Sequence, residues 1–165
     1  MFRIREVDGL DEEISDSLAE LHRLTFLDCA PIPDFGWGNW WLAYRERLPV
    51  GFAGVVPSTH MENVGYFCRV GVLRAHHGHA LQLRMMRAME TRAGQNGWCC
   101  VVSDTTKNLF SANNFIRAGY RLYEPRHPWG WSNTLYWQKP TKPFALLERG
   151  TSVKKRPQPR QGRTG

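Results

Sequence analysis

The sequence lacks any long hydrophobic run. Among its 165 residues, no stretch of about 18 apolar residues occurs, although a membrane-spanning helix requires roughly that length. The segment from Met1 to Glu6 also lacks the continuous apolar stretch of a secretory signal. These two absences predict a soluble protein that resides in the cytoplasm and does not bind membranes.

Cysteine is scarce as well, and paired CxxC spacing is absent. The chain contains four cysteines, which are Cys29, Cys68, Cys99 and Cys100. Small secreted domains held together by disulfides have a much higher density of cysteine. We therefore expect the four thiols to be reduced and buried.

No cysteine or carboxylate lies close in sequence to the histidines His76, His77 and His79. Designed zinc and iron sites combine histidine with such ligands. The sequence therefore predicts no metal cofactor.

Acidic residues are missing from the last part of the chain. Residues 149–165 carry six basic side chains and no acidic one, whereas residues 1–148 hold 16 basic against 15 acidic side chains. A segment with high charge and almost no apolar residues cannot offset the entropy lost on ordering. We expect one nearly neutral domain over residues 1–148 and a disordered basic tail over 149–165. The tail is interpreted either as a phosphate-binding arm for nucleic acid or as a solubilising terminus.

The spacing of apolar residues predicts an α/β domain with a mixed sheet. Helical periodicity covers residues 11–27, 79–93 and 108–118, and Gly94 is expected to end the second helix. Strand patterns cover residues 2–7, 40–45, 50–56, 65–73, 98–103, 120–123 and 134–137.

The junction before the second helix reads Ala75-His76-His77-Gly78-His79-Ala80. The first turn of a helix offers unpaired backbone N–H groups and the positive end of the helix dipole. A pyrophosphate can bind there without any specific side chain.

A second segment follows a buried strand and places Asn108, Ser111 and Phe115 on adjoining turns of a short helix, before Gly119 and Tyr120. Together, the two segments resemble the two cofactor motifs of the GNAT acetyltransferase superfamily. The resemblance covers residues 2–138. It implies a mixed, mostly antiparallel sheet of six to seven strands, splayed at its centre and flanked by helices.

The resemblance also implies acetyl-CoA as co-substrate and an amine of unidentified type as acceptor. The cofactor-binding residues that it implies are Val70, Gly71, Val72, His77, Gly78, His79, Ala80, Leu81, Asn108, Ser111 and Phe115. By the same resemblance, the protein would be a monomer or a homodimer.

Two residues depart from the family pattern. Ala75 stands where the family usually has Arg or Gln, and Phe115 stands where many members have a tyrosine that protonates the leaving thiolate. Tyr66 and Asp104 are the candidates for general acid and base, and each also has a structural interpretation as a half-buried aromatic or a strand-end residue. The departures leave open an alternative, a catalytically inactive GNAT-like module that senses CoA or binds nucleic acid.

In the family that the chain resembles, the acceptor groove is lined by the region after the first helix and by the loop between the last two strands. Aromatic residues are concentrated in these two regions, which include loops rich in glycine and proline. The candidates for acceptor contacts are Phe35, Trp37, Trp40, Trp129 and Trp131. They either brace these loops against the core or form a platform that stacks a planar substrate or encloses a cation. A protein amine, a small-molecule amine and a nucleobase-like acceptor all remain compatible with the sequence.

Overall fold

A computed structural model describes residues 1–26 and 30–141 and shows a seven-stranded mixed sheet. The order across the sheet is β1-β2-β3-β4-β5-β7-β6, and only β4 and β5 are parallel neighbours. The predicted tail and Cys29 lie outside the described residues. The strands are β1 (Phe2–Val7), β2 (Asn39–Arg45), β3 (Leu48–Pro57), β4 (Val64–Val72), β5 (Cys100–Thr106), β6 (Arg121–Tyr123) and β7 (Thr134–Pro140).

Within the described residues, three α-helices cover the two faces of the sheet. They are α1 (Glu12–Thr25), α2 (Leu81–Gln95) and α3 (Leu109–Arg117). Helix α1 buries Leu18 and Leu21 against one face, and α2 and α3 bury a methionine-rich cluster against the other. The predicted α/β fold with a mostly antiparallel sheet is confirmed.

Helix α2 continues past Gly94, so the predicted end of this helix is wrong. A glycine inside a helix costs about 1 kcal/mol but does not by itself stop the helix. The chain turns at Gly97, which has a φ of 78°, a left-handed conformation that glycine adopts without steric cost. The helix therefore ends at Gln95.

The centre of the sheet is open. Strands β4 and β5 are paired only from Val64 opposite Cys100 to Tyr66 opposite Val102, and both strands continue beyond this point. The pairing of β3 with β4 shifts between Gly54 and Val55, which leaves Cys68 as the extra residue of a β-bulge. A bulge bends its strand and increases the local twist, so β4 turns away from β5 and the predicted splay is confirmed.

The buried methionine cluster generates a stability prediction. Met89 on α2 is fully buried, so Met89→Ala should lower the free energy of unfolding by about 2–5 kcal/mol through lost burial and a residual cavity. Leu122 is 56% exposed, and Leu122→Ala should change this free energy by no more than about 0.5 kcal/mol. Urea unfolding measures both variants, and equal effects would contradict the assigned core.

Candidate active site

The splay between β4 and β5 encloses a cavity of about 270 Å³. Both strands line it, together with the end of α1 and the start of α3. The polar or aromatic residues on its walls include Phe26, Tyr66, Arg69, Asp104, Asn108 and Ser111. The opening of the sheet thus brings together chemical groups from four separate elements.

Asp104 is held in a fixed orientation by two hydrogen bonds. The Tyr66 hydroxyl donates to Oδ2 of Asp104 at 2.6 Å, and Trp129 Nε1–H donates to the same oxygen at 2.8 Å. Among residues 1–26 and 30–141, no hydrogen bond reaches the other carboxylate oxygen, Oδ1. The side chain therefore presents one oxygen to a ligand while the second is fixed by the protein.

The Tyr66 hydroxyl is a hydrogen-bond donor and not a base. Burial raises its pKa far above the usual range, and the negative charge of Asp104 raises it further. The hydroxyl consequently remains protonated at physiological pH and keeps its proton directed at Asp104.

The loop between β6 and β7 places Trp129 beside this carboxylate. The Trp129 ring stacks on His60, with ring centroids 4.7 Å apart and an interplanar angle of 6°, and meets the edge of Tyr136 at 4.7 Å. The Gly130 N–H also donates to the Tyr136 hydroxyl at 2.8 Å. The position of the Trp129 donor is thus determined by several packed contacts.

A second cavity, of about 170 Å³, lies where α2 begins. Gly78 and Ala80 both have positive φ, and Ala80 precedes the helix without supplying a side-chain cap. The first backbone N–H groups of α2 therefore have no capping side chain. His77 lies at the rim, where its Nε2–H donates to the Val72 carbonyl at 2.8 Å and its ring stacks on Phe110.

Gln82 supplies a further donor to this second cavity. The residue is only 7% exposed, and its Oε1 accepts from Asn114 Nδ2 at 2.9 Å. Its buried Nε2 finds no hydrogen-bond acceptor within the described ranges. A buried donor without a partner costs about 1–3 kcal/mol, so the cavity is suited to a ligand that brings an oxygen acceptor.

The free edge of β4 offers backbone groups beside both cavities. Leu73 N–H donates to the Val50 carbonyl, which makes these residues a hydrogen-bonded pair. Residues of an antiparallel ladder alternate between hydrogen-bonded and outward-facing pairs. Val70 and Val72 therefore direct their N–H and C=O groups into the splay, whereas Gly71 directs its groups to β3.

Comparison with known proteins decides the family. The acetyltransferase (GNAT) family model matches residues 11–120 of the 165. The chain belongs to the GNAT acetyltransferase family. No match to a curated protein is found.

Solved structures of several acetyltransferases share the fold. A GNAT acetyltransferase from Staphylococcus aureus is 13% identical, with a TM-score of 0.67 over 86% of this chain and all of the other. PaiA N-acetyltransferase from Thermoplasma acidophilum, in complex with coenzyme A, is 10% identical, with a TM-score of 0.66 over 85% and 99% of the two chains. The ribosomal-protein-S18-alanine N-acetyltransferase from Escherichia coli is 8% identical, with a TM-score of 0.65 over 86% and 94%.

Two of the aromatic residues predicted to contact an acceptor belong to the core of this GNAT domain. Phe35 is 5% exposed and Trp40 is 1% exposed, and their rings meet edge to face at 4.8 Å. The prediction does not hold for these two residues because they have no free ring face for a ligand. Trp37 and Trp131 are exposed, and of the five residues Trp129 makes the direct contact with Asp104.

The motif residues on α3 have structural partners. The Asn108 side chain accepts from the Ser111 N–H at 3.0 Å and so caps the helix. Phe115 is buried among Phe67, Tyr120 and Trp137 and lines the cavity between β4 and β5. Their predicted contacts with a cofactor remain predictions.

Cys68 lines the cavity between β4 and β5 but is a poor nucleophile. Burial raises the pKa of its thiol to about 12, and the thiol donates to the Gly54 carbonyl at 3.4 Å. The thiolate is the reactive form of cysteine, so the geometry does not favour a covalent cysteine intermediate.

The described part of the chain has neither a metal-binding cluster nor a membrane-spanning helix. No group of three or more His, Cys, Asp or Glu side chains is arranged to hold a metal ion. No helix there has the length and apolar character required to cross a bilayer.

Proposed function

We propose that this GNAT protein transfers the acetyl group of acetyl-CoA to an amine. The observation that carries the proposal is the placement of two complementary sites along one edge of β4. The cavity at the start of α2 offers hydrogen-bond donors, and the cavity in the splay presents the fixed carboxylate of Asp104. Family membership and the fold shared with a coenzyme A complex support this assignment.

The cofactor side fits a ligand with a pyrophosphate and an amide-containing arm. The uncapped N–H groups at the start of α2 suit the pyrophosphate because a helix N-terminus attracts anions. The outward N–H and C=O groups of Val70 and the outward N–H of Val72 suit the arm, since they can pair with it as another strand would, whereas the Val72 carbonyl already accepts from His77. The unpaired Nε2 of Gln82 suits one of the ligand's oxygens.

On the acceptor side, Asp104 is proposed to act as general base. Acetyl-CoA supplies the acetyl group as a thioester, so transfer forms a carbon–nitrogen bond and breaks the carbon–sulfur bond. Oδ1 of Asp104 receives the proton that the acceptor nitrogen loses, while Tyr66 and Trp129 hold the carboxylate in position. Phe115 has no proton to donate, so the leaving thiolate receives no proton from this position.

Acetyl-CoA binding tests the first half of the proposal. In a thermal-shift titration, acetyl-CoA should stabilise the protein by about 2.7 kcal/mol at 100 times its Kd, and ATP should not reproduce the effect. Gln82→Leu should weaken acetyl-CoA binding about tenfold through the lost donor.

The matched control for this test is Gln95→Leu, because Gln95 is an exposed glutamine at the other end of the same helix. It should bind acetyl-CoA as the unmodified protein does. No stabilisation by acetyl-CoA at any concentration would contradict the proposed cofactor.

The rate of thiol release with a panel of amines tests the second half. Asp104→Asn should lower kcat at least about 100-fold by removing the base. Trp129→Phe should lower it about tenfold by removing one hydrogen bond to the carboxylate. Acetyl-CoA binding should persist in both variants.

Ser132→Ala is the control for the loop, since Ser132 is exposed and its replacement should leave kcat unchanged. An Asp104→Asn variant with full activity would exclude Asp104 as the base. Acetyl-CoA binding without thiol release from any amine would favour the inactive CoA-sensing module instead.

A further inference from the structure

Arg69 faces the same cavity as Asp104 because of the β-bulge. Side chains normally alternate between the two faces of a strand, but the extra residue at Cys68 interrupts this alternation. Tyr66 and Cys68 pack against the α1-side cluster, and the Arg69 guanidinium lies 5.6 Å from the centre of the Phe26 ring at the end of α1. Arg69 is therefore on the α1 face of the splay.

The Arg69 guanidinium has donors to spare. Nη1 donates to the Cys68 carbonyl at 2.8 Å, and Nη2 contacts the Pro31 carbonyl at 3.5 Å. Nε is buried and has no acceptor among the residues described. The salt bridges found among the described residues involve Arg23, Arg92 and Lys139, and none of them involves Arg69. A guanidinium carries five N–H donors and remains charged, so this half-buried cation is suited to an anionic ligand.

The two walls of the cavity thus carry opposite charges. Asp104 presents a free carboxylate oxygen from β5, and Arg69 presents a cation from β4. Both charges lie close enough to Tyr66 to affect its hydroxyl. Burial is the largest cause of the raised pKa of Tyr66, the Asp104 charge raises this pKa further, and the Arg69 charge lowers it.

We propose that the acceptor is a small primary amine that also carries an anionic group, with its nitrogen at Asp104 and its anion at Arg69. This inference rests on the proposed acetyl transfer and adds the chemical class of the acceptor. A carboxylate or a phosphate would meet the same guanidinium with charge-assisted hydrogen bonds. Amines that carry further positive charge would be repelled by Arg69.

The test compares matched acceptors that differ in the anionic group. The pairs are β-alanine with β-alaninamide and O-phosphoethanolamine with ethanolamine, and kcat/KM is measured for each. The members of a pair also differ in amine basicity, so the readout is the change in their ratio on substitution. Arg69→Gln should lower the preference for the anionic member about tenfold or more, mainly through KM, and Arg69→Lys should retain part of it.

Two control variants separate recognition from structure. Arg121→Gln removes an exposed arginine on β6 and should leave the ratio unchanged. Asp28→Asn removes an acidic residue that is close in sequence to Phe26 and should also leave it unchanged. A further outcome is that the unmodified protein shows no preference for the anionic acceptors while Asp28→Asn does show one. This result would mean that Arg69 is paired with Asp28 inside the protein, and it would overturn the proposal.

Binding without turnover distinguishes the inference from the proposed activity. Saturation-transfer NMR measures whether β-alanine and O-phosphoethanolamine bind the unmodified protein and Arg69→Gln in the presence of CoA. Binding that is lost in Arg69→Gln supports the anion site even if no amine is acetylated. Acetylation with an unchanged ratio in Arg69→Gln, or no binding of either anionic amine, overturns the inference, and the relative loss for the two anions identifies which one is recognised.

Discussion

The short pairing between β4 and β5 is the constraint on which the rest of the structure depends. Three residue pairs hold the two strands together, and the bulge at Cys68 then turns β4 away. An uninterrupted pairing would consume the outward N–H and C=O groups of Val70 and Val72 and would close the cavity. The fold therefore leaves hydrogen bonds between its central strands unmade, and the candidate site lies in the resulting opening.

The same opening brings distant charges together. Tyr66, Asp104 and Trp129 are separated by tens of residues, yet they share one carboxylate oxygen. Because two neutral donors fix Oδ2, a ligand meets Asp104 in a single orientation. Preorganised polar groups of this kind act without reorganising during a reaction. The bulge adds Arg69 to the same face, so one local irregularity contributes both the space and the second charge.

Local patterns predicted the fold well because periodicity and turn residues are short-range features. The strand before Gly78 and the helix after it were predicted for the same reason, and the structure has them as β4 and α2. The orientation of these aromatic residues could not be predicted, since the local composition around Phe35 in its loop and around Trp40 on β2 does not reveal whether a ring points inward. The partners of Gln82 were also missed because Asn114 lies on another helix. The signal in the sequence was Gln82 itself, a polar residue on the face of α2 that packs against the sheet, where an apolar residue is expected.

Amide hydrogen exchange followed by NMR, with and without acetyl-CoA, tests the central claim that the free edge of β4 binds the cofactor. If acetyl-CoA pairs with this edge, amide exchange should slow at Val70 and Val72 and at the first amides of α2. Gly71 should show little change because its N–H already faces β3, which makes it an internal control. Unchanged exchange at Val70 and Val72 in a protein saturated with acetyl-CoA would contradict cofactor binding along β4.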